Sequence, residues 1–168
     1  MLPTYSEQQI QLLGKALQQN LIVKEAQCAA LLDTAGSIIV MKDNGAVDYD
    51  IESIAVLAAS NFSAVKAMAE RIGENHFSLL FHKGKKGNIH LNEAMQGFLL
   101  LTIFGKGVSV GSLRLMVEDT VKQVRRINRH FEIKKKIASA NVRPKSAGRV
   151  SHNSKETYLK KVIGIFRK

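Results

Sequence analysis

Gly97-Phe98-Leu99-Leu100-Leu101-Thr102-Ile103-Phe104 is the stretch that decides the architecture. A strand that faces water on one side alternates apolar and polar residues, whereas a strand covered on both sides reads as a continuous apolar run. This run therefore predicts a central strand with helices packed above and below it. Its neighbours fit. Upstream, His76 to Lys83 alternates, with Phe77, Leu79 and Phe81 on one face. Gly84-Lys85-Lys86-Gly87 is a turn, and Asn88 to Glu93 returns with Ile89 and Leu91 on one face and His90 on the other. Downstream, Gly105-Lys106-Gly107-Val108 is a loop and Ser109 a helix N-cap. Val110, Leu113, Val117, Val121, Val124, Ile127 and Phe131 then recur at intervals of three or four, the spacing of one helical face. That helix ends in basic residues, which suit the negative pole of its dipole.

Farther upstream, Ala29 to Asp33 and Ser37 to Met41 flank Thr34-Ala35-Gly36 and read as a β-hairpin, with Asp43-Asn44-Gly45 as the next turn. A long helix follows from about Ile51 to Ile72, capped by Asp50 and stopped by Gly73. Ile54, Ala58, Asn61, Phe62, Val65, Met68, Ala69 and Ile72 form the stripe expected to face the sheet. The first helix covers about Ser6 to Val23, with Thr4 and Glu7 at capping-box spacing and Ile10, Leu13, Leu17 and Leu21 as its apolar row. The order is helix, two strands, long helix, three strands, helix. Short connections make the sheet mostly antiparallel. The expected fold class is α/β: a five-stranded sheet with helices on both faces, preceded by an N-terminal helix.

The other side of the long helix is unusual. Val56, Ala59, Ser60, Ser63 and Ala67 are small or moderately apolar, with Lys66 and Glu70 beside them. A solvated helix face is normally rich in charged, long side chains. Two readings remain open at this level: a well-buried helix, or a helix–helix contact with another chain.

The 168 residues carry a formal charge of +11 that is unevenly placed. Met1 to Asn128 holds 13 Lys/Arg against 12 Asp/Glu, and Arg129 to Lys168 holds 12 against 2. The body is nearly neutral and the basicity belongs to the last part of the chain. Such a tail suits an acidic partner, an anionic membrane or nucleic acid. The expected organisation is a domain over 1–133, a flexible basic linker over 134–154, and a short basic amphipathic segment over 155–168. In that last segment Tyr158, Leu159, Val162, Ile163 and Phe166 share one helical face as the tail's contact residues. A membrane, a groove on a partner, or no partner at all are open readings for it, with nucleic acid disfavoured. No apolar run reaches the roughly 18 residues that span a bilayer, no secretory signal stands at Met1 to Gln9, and Cys28 is the one cysteine. Together these lead to the expectation of a cytoplasmic protein.

Catalytic chemistry has little to build on. His76, His82, His90, His130 and His152 fall at no helical metal-site spacing, and only His82 and His90 could approach one another, across a hairpin. Gly105-Lys106-Gly107 departs from a phosphate loop, because no Ser or Thr follows the lysine. Asp33, Asp43, Asp48 and Asp50 sit where turns and caps need them. No enzyme, cofactor or metal is expected.

Leu31-Leu32-Asp33-Thr34-Ala35-Gly36, Ile54-Ala55-Val56-Leu57-Ala58-Ala59-Ser60-Asn61, Arg71-Ile72-Gly73-Glu74-Asn75-His76-Phe77, the apolar strand ending at Phe104, and Ser109-Val110-Gly111-Ser112-Leu113-Arg114-Leu115 together resemble Roadblock/dynein-light-chain domains. The resemblance spans about Ala26 to Ile127. The run from Ile72 to Phe77, followed by Phe81-His82 and Gly84, is particularly similar to the bacterial MglB branch. The resemblance implies a Roadblock-type, profilin-like fold and a homodimer made through the long central helix and the neighbouring strand. It places Asn61, Phe62, His76, Phe77 and Ser78 toward the dimer interface. It further implies that Val56, Ala59, Ser60, Ser63, Lys66, Ala67 and Glu70 bind a small Ras-like GTPase of the MglA kind. Hydrolysis would then be modulated by reshaping the GTPase's own site, without an inserted arginine, in cell polarity or motility. A non-regulatory scaffold is the alternative. The basic tail is not part of the family's domain pattern.

Overall fold

The computed structural model describes residues 5–75, 77 and 80–141. Its elements are α1 (Glu7–Leu17) continuing into a π-helical turn (Gln18–Ile22), β1 (Ala26–Asp33), β2 (Ile38–Asp43), α2 (Ile51–Arg71), β3 (Leu80–Lys83), β4 (Gly87–Met95), β5 (Phe98–Gly105) and α3 (Val110–Asn141). The order of helices and strands is the one the sequence predicts. All strand pairs are antiparallel and the sheet runs β2-β1-β5-β4-β3. The Phe98–Gly105 run is thus the middle strand, hydrogen-bonded on both edges.

The two faces of the sheet carry different cores. On one, Leu13, Leu17 and Leu21 from the first helical segment and Leu113, Val117, Val121 and Val124 from α3 pack on Ala29, Leu31, Leu100 and Phe104. On the other, α2 alone packs on Ala30, Leu32, Leu91, Leu99 and Leu101. Alternate residues of β1 and β5 feed opposite clusters, as the period of two requires. Leu99, Leu100 and Leu101 are all buried because there is a helix layer on each side.

The start of α1 differs from the sequence reading. Ser6, not Thr4, is the described N-cap of α1, and its hydroxyl accepts the Gln9 N–H at 3.2 Å. Ser6 and Gln9 repeat the capping-box spacing two residues later. The Gln9 side chain, however, is buried and reaches across to Asn128 of α3 at 3.2 Å, so Ile10 turns partly outward. The π-helical turn inserts an extra residue into the helix. It brings Leu21 and Ile22 into the core together and carries Asn20 to Gln123 at 2.7 Å.

The β1–β2 turn is organised by Asp33. This carboxylate is buried and accepts the N–H groups of Ala35 and Ser37 at 2.9 and 2.8 Å. Asp33→Ala leaves both donors without it and is expected to cost about 1–3 kcal/mol. Urea denaturation checks this, and an unchanged midpoint would remove Asp33 from the turn's stability.

Ser109 caps α3 as predicted, accepting the Ser112 N–H at 3.1 Å. Arg125 ties the helix to the sheet by donating to the Ala94 carbonyl at 2.6 Å. The chain divides into two units between Lys134 and Lys135. Within the second unit, α3 continues to Asn141, into the stretch the sequence assigns to a linker beginning at 134, and the Ser139 hydroxyl donates to the Lys136 carbonyl. The sequence reading places the domain's end at 133, two residues after the last core-facing residue, Phe131. Polar residues good at forming helix carry the element further. The rest of the expected linker and the 155–168 segment lie outside the described residues.

Candidate functional site

The uncovered surface of α2 is built from its own sequence. Asp50 starts the helix, accepting the N–H groups of Glu52 and Ser53 at 3.1 Å each and the Ser53 hydroxyl. The bonds from Ser53 hold this carboxyl below its ordinary pKa. Ala55, Ala58, Ala59 and Phe62 then face the sheet, and Ala69 is buried in line with them. With alanine as the contact residue, the helix axis can approach the strands closely. Ala59 is only 1% exposed, so the sequence expectation that it lies on the partner-facing side is corrected. Hydropathy does not distinguish an alanine turned inward from one turned outward, and the neighbouring Ala58 and Phe62 draw it to the sheet.

Met68 and Ile72 require the opposite correction. Their spacing assigns them to the sheet-facing stripe, yet they are 55% and 70% exposed. Ala69 between them is fully buried, so the helix still has support at that level. Met68 and Ile72 lie to one side of the buried row of Ala55, Phe62 and Ala69, and a stripe read from periodicity does not fix how wide a sector its support covers. Leu57, which the spacing assigns to neither face, is 68% exposed. It is legible in the sequence only as a large apolar residue falling between the two predicted stripes. By length and composition alone α2 is apolar enough to cross a bilayer.

These outward residues form two flanks. Along one run Leu57, Asn61, Ala64, Met68 and Ile72. This flank borders β3, because Leu57 and Asn61 share an open apolar groove of about 290 Å³ with Ile54, Ala58, His82, Ile89 and Leu91. The Asn61 amide and His82 Nε2 are 2.8 Å apart across it, which pins the middle of α2 to β3. That strand is short, lies at the sheet's edge and has an unpaired outer side among the described residues. Phe77, just before it, is partly exposed, while His76 and Ser78 lie outside the described residues. Phe62 points to the sheet.

The other flank carries Val56, Ser60, Ser63, Lys66, Ala67 and Glu70, all exposed. The Ser60 hydroxyl donates to the Val56 carbonyl at 2.9 Å and the Ser63 hydroxyl to the Ala59 carbonyl at 3.0 Å. Both hydroxyl protons are thus spent on the helix's own backbone, so the Val56–Ser63 part of this side presents little that needs water, while Lys66 and Glu70 put charge at its far end. It is anchored by Gly36 in the β1–β2 turn, where an added Cβ would lie 2.5 Å from the Val56 Cα.

The remaining candidates separate. Phe81 pairs with His90 and His82 with Ile89, so His82 and His90 project to opposite faces of the sheet and do not approach. No metal-ligating group of three or more residues occurs among the described residues. Cys28 is buried, and burial pushes its thiol up to about 11. The tail residues Tyr158, Leu159, Val162, Ile163 and Phe166 lie outside the described residues.

An antiparallel sheet with two helices on one face and a single helix with exposed apolar residues on the other defines an α/β module with one uncovered helical surface. Residues 13–104, more than half of the chain, match the Roadblock/LC7 domain, and the protein belongs to that family. The gliding protein MglB from Thermus thermophilus has the same fold, with a TM-score of 0.68 and 23% identity over 77% of this chain and 96% of that one. An MglB in a tetrameric arrangement gives 0.69 and 24% over 77% and 96%. Myxococcus xanthus MglB gives 0.64 and 24% over 76% and 99%. At these identities the likeness is one of fold. No curated protein matches the chain.

Proposed function

We propose that this protein is a cytoplasmic homodimeric regulator of a small Ras-like GTPase of the MglA kind, acting in cell polarity or motility without catalytic residues of its own. The observation that carries the reading is the two-sided exposure of α2. Leu57, Met68 and Ile72 are too exposed to serve the core of one chain, and they run beside an edge strand with an unpaired outer side. Self-association through this flank, with Asn61, Phe62 and Phe77 at or under the seam, covers both features at once. The arrangement described for a related MglB supports self-association as a habit of the fold.

Pairing two copies in this way leaves Val56, Ser60, Ser63, Lys66, Ala67 and Glu70 to the GTPase. The Val56–Ser63 part of this surface, with its hydroxyls internally satisfied, is suited to close backbone approach, and Lys66 and Glu70 add charged contacts beside it. Such a regulator needs only to bind one conformation of the GTPase more tightly than another, since differential affinity alone shifts the population.

Light scattering is expected to give a dimer, and Leu57→Asp with Met68→Asp to give a monomer. Ser63→Arg or Ala67→Arg is expected to abolish GTPase binding, measured by calorimetry, and with it any change in hydrolysis rate. Unaltered affinity in both arginine variants would exclude this flank. Binding that is equal in every nucleotide state and leaves hydrolysis unmoved would make the protein a scaffold.

A further inference from the structure

The outward side of α3 differs in character from that of α2. Opposite its buried row of Leu113, Val117, Val121, Val124 and Phe131, helical spacing gathers Leu115, Lys122, Arg126, Arg129 and Ile133 on one side. All five are exposed. The acids of the first half are engaged locally, Glu118 with Arg114 and Asp119 with Lys122, each at 3.2 Å. Beyond Asp119, the stretch to Lys134 contains Lys122, Arg125, Arg126, Arg129 and Lys134 against the single acid Glu132. Arg125 turns toward the sheet to reach Ala94. Arg126 and Arg129 stand outward, and no ion pair engages them among the described residues.

Two uncompensated guanidinium groups in line with a protruding isoleucine, on a helix held against a sheet, complement a flat anionic surface bearing an apolar layer beneath. Long basic side chains lay their stems along such a boundary and place their charges at the phosphates, while an aliphatic side chain enters below them. The row has no aromatic residue on which bases could stack. We propose that this face of α3 docks on an anionic lipid bilayer, with Arg126 and Arg129 at the headgroups and Ile133 in the acyl boundary. The inference does not rest on the GTPase reading. Because α2 lies on the opposite face of the sheet, docking by α3 leaves the surface of α2 open.

The test is co-sedimentation of the whole chain with phosphatidylcholine vesicles, with and without phosphatidylglycerol. The protein is expected to pellet only with the anionic vesicles and to be released by salt. R126E/R129E is expected to weaken binding about tenfold or more, R126Q/R129Q less so, and Ile133→Ser to weaken it with no change of charge. Circular dichroism of each variant verifies folding, which these exposed positions leave intact. Unaltered binding by both arginine double variants would overturn the proposal, placing any membrane affinity elsewhere in the chain. Equal pelleting with neutral vesicles, or no pelleting at all, would overturn it too. So would a short DNA duplex that strips the protein from anionic vesicles at equimolar phosphate.

Discussion

Gly36→Ala is expected to destabilise the protein by roughly 2–5 kcal/mol, enough to remove much of the stability of a domain of this size. Two costs add at this position. The backbone has φ of +89°, a region in which an L side chain costs about 1–2 kcal/mol. The added Cβ would also lie 2.5 Å from the Val56 Cα, 2.9 Å from its nitrogen and 3.0 Å from the Ala55 carbonyl oxygen. None of these is a flexible side-chain end that could swing aside, so either the turn or α2 must move, with an overpacking cost of about 1–3 kcal/mol. Gly45→Ala is the control. Gly45 has φ of +79° but nothing within 4 Å of the added carbon, so only the first cost applies. Urea denaturation of the two variants separates conformational strain from contact. Equal losses would mean that the Gly36–Val56 approach contributes nothing. The same substitution is expected to disturb partner binding in whatever fraction stays folded, because the turn braces the flank that begins at Val56.

Acidification between about pH 6.5 and 4 is expected to remove roughly 3 kcal/mol of stability through a single residue, His90. The side chain is 1% exposed, and neither ring nitrogen has a hydrogen-bond partner among the described residues. Thr102 lies opposite it on β5 with its hydroxyl likewise unpartnered there. Burial, aided by the positive charge of Arg114, lowers the imidazole pKa from 6.5 to about 4. The folded protein therefore holds His90 neutral in a range where the unfolded chain would protonate it. The unfolded state binds more protons there, so stability is fully present above pH 6.5 and is lost as pH falls toward 4. His90→Gln removes the titrating group, and its unfolding free energy is expected to fall by roughly 3 kcal/mol less than the parent's across that window. Parallel pH profiles for the two proteins would assign the acid sensitivity elsewhere. Asp50 also has a lowered pKa, but below 3.8, outside the window.

The layers of this fold are legible because burial on two faces writes itself into one strand. Leu99, Leu100 and Leu101 leave no polar side, and that fixes a helix layer above and below. The hairpin signals and the caps at Asp50 and Ser109 likewise act through neighbours in the chain, so local reading recovers them. The site is legible only in outline. That α2 carries a smooth face with Ser60, Ser63 and Ala67 outward follows from composition and spacing. Spacing misplaces Ala59, and Met68 and Ile72 with it, because a helical stripe drawn from apolar residues does not fix which sector of the helix the sheet covers. The bracing of Val56 by Gly36, the Asn61–His82 bond and the separation of His82 from His90 depend on register and on long-range contact. No pattern within a short window encodes those.

Four of the five buried residues of α2 are alanines. Each conceals about one methyl group's worth of apolar surface, near 0.8 kcal/mol, whereas the leucines of β5 contribute two or three times as much. The helix is therefore held close but lightly. In a protein whose segments open with different free energies, such a helix belongs to the part that detaches first. Anything that covers its outer side adds contacts present only when the helix is seated, and so shifts that local equilibrium by mass action. Occupancy of α2 would then be registered as slowed amide exchange along its length, a change in the residence of a whole element even where no atom is displaced.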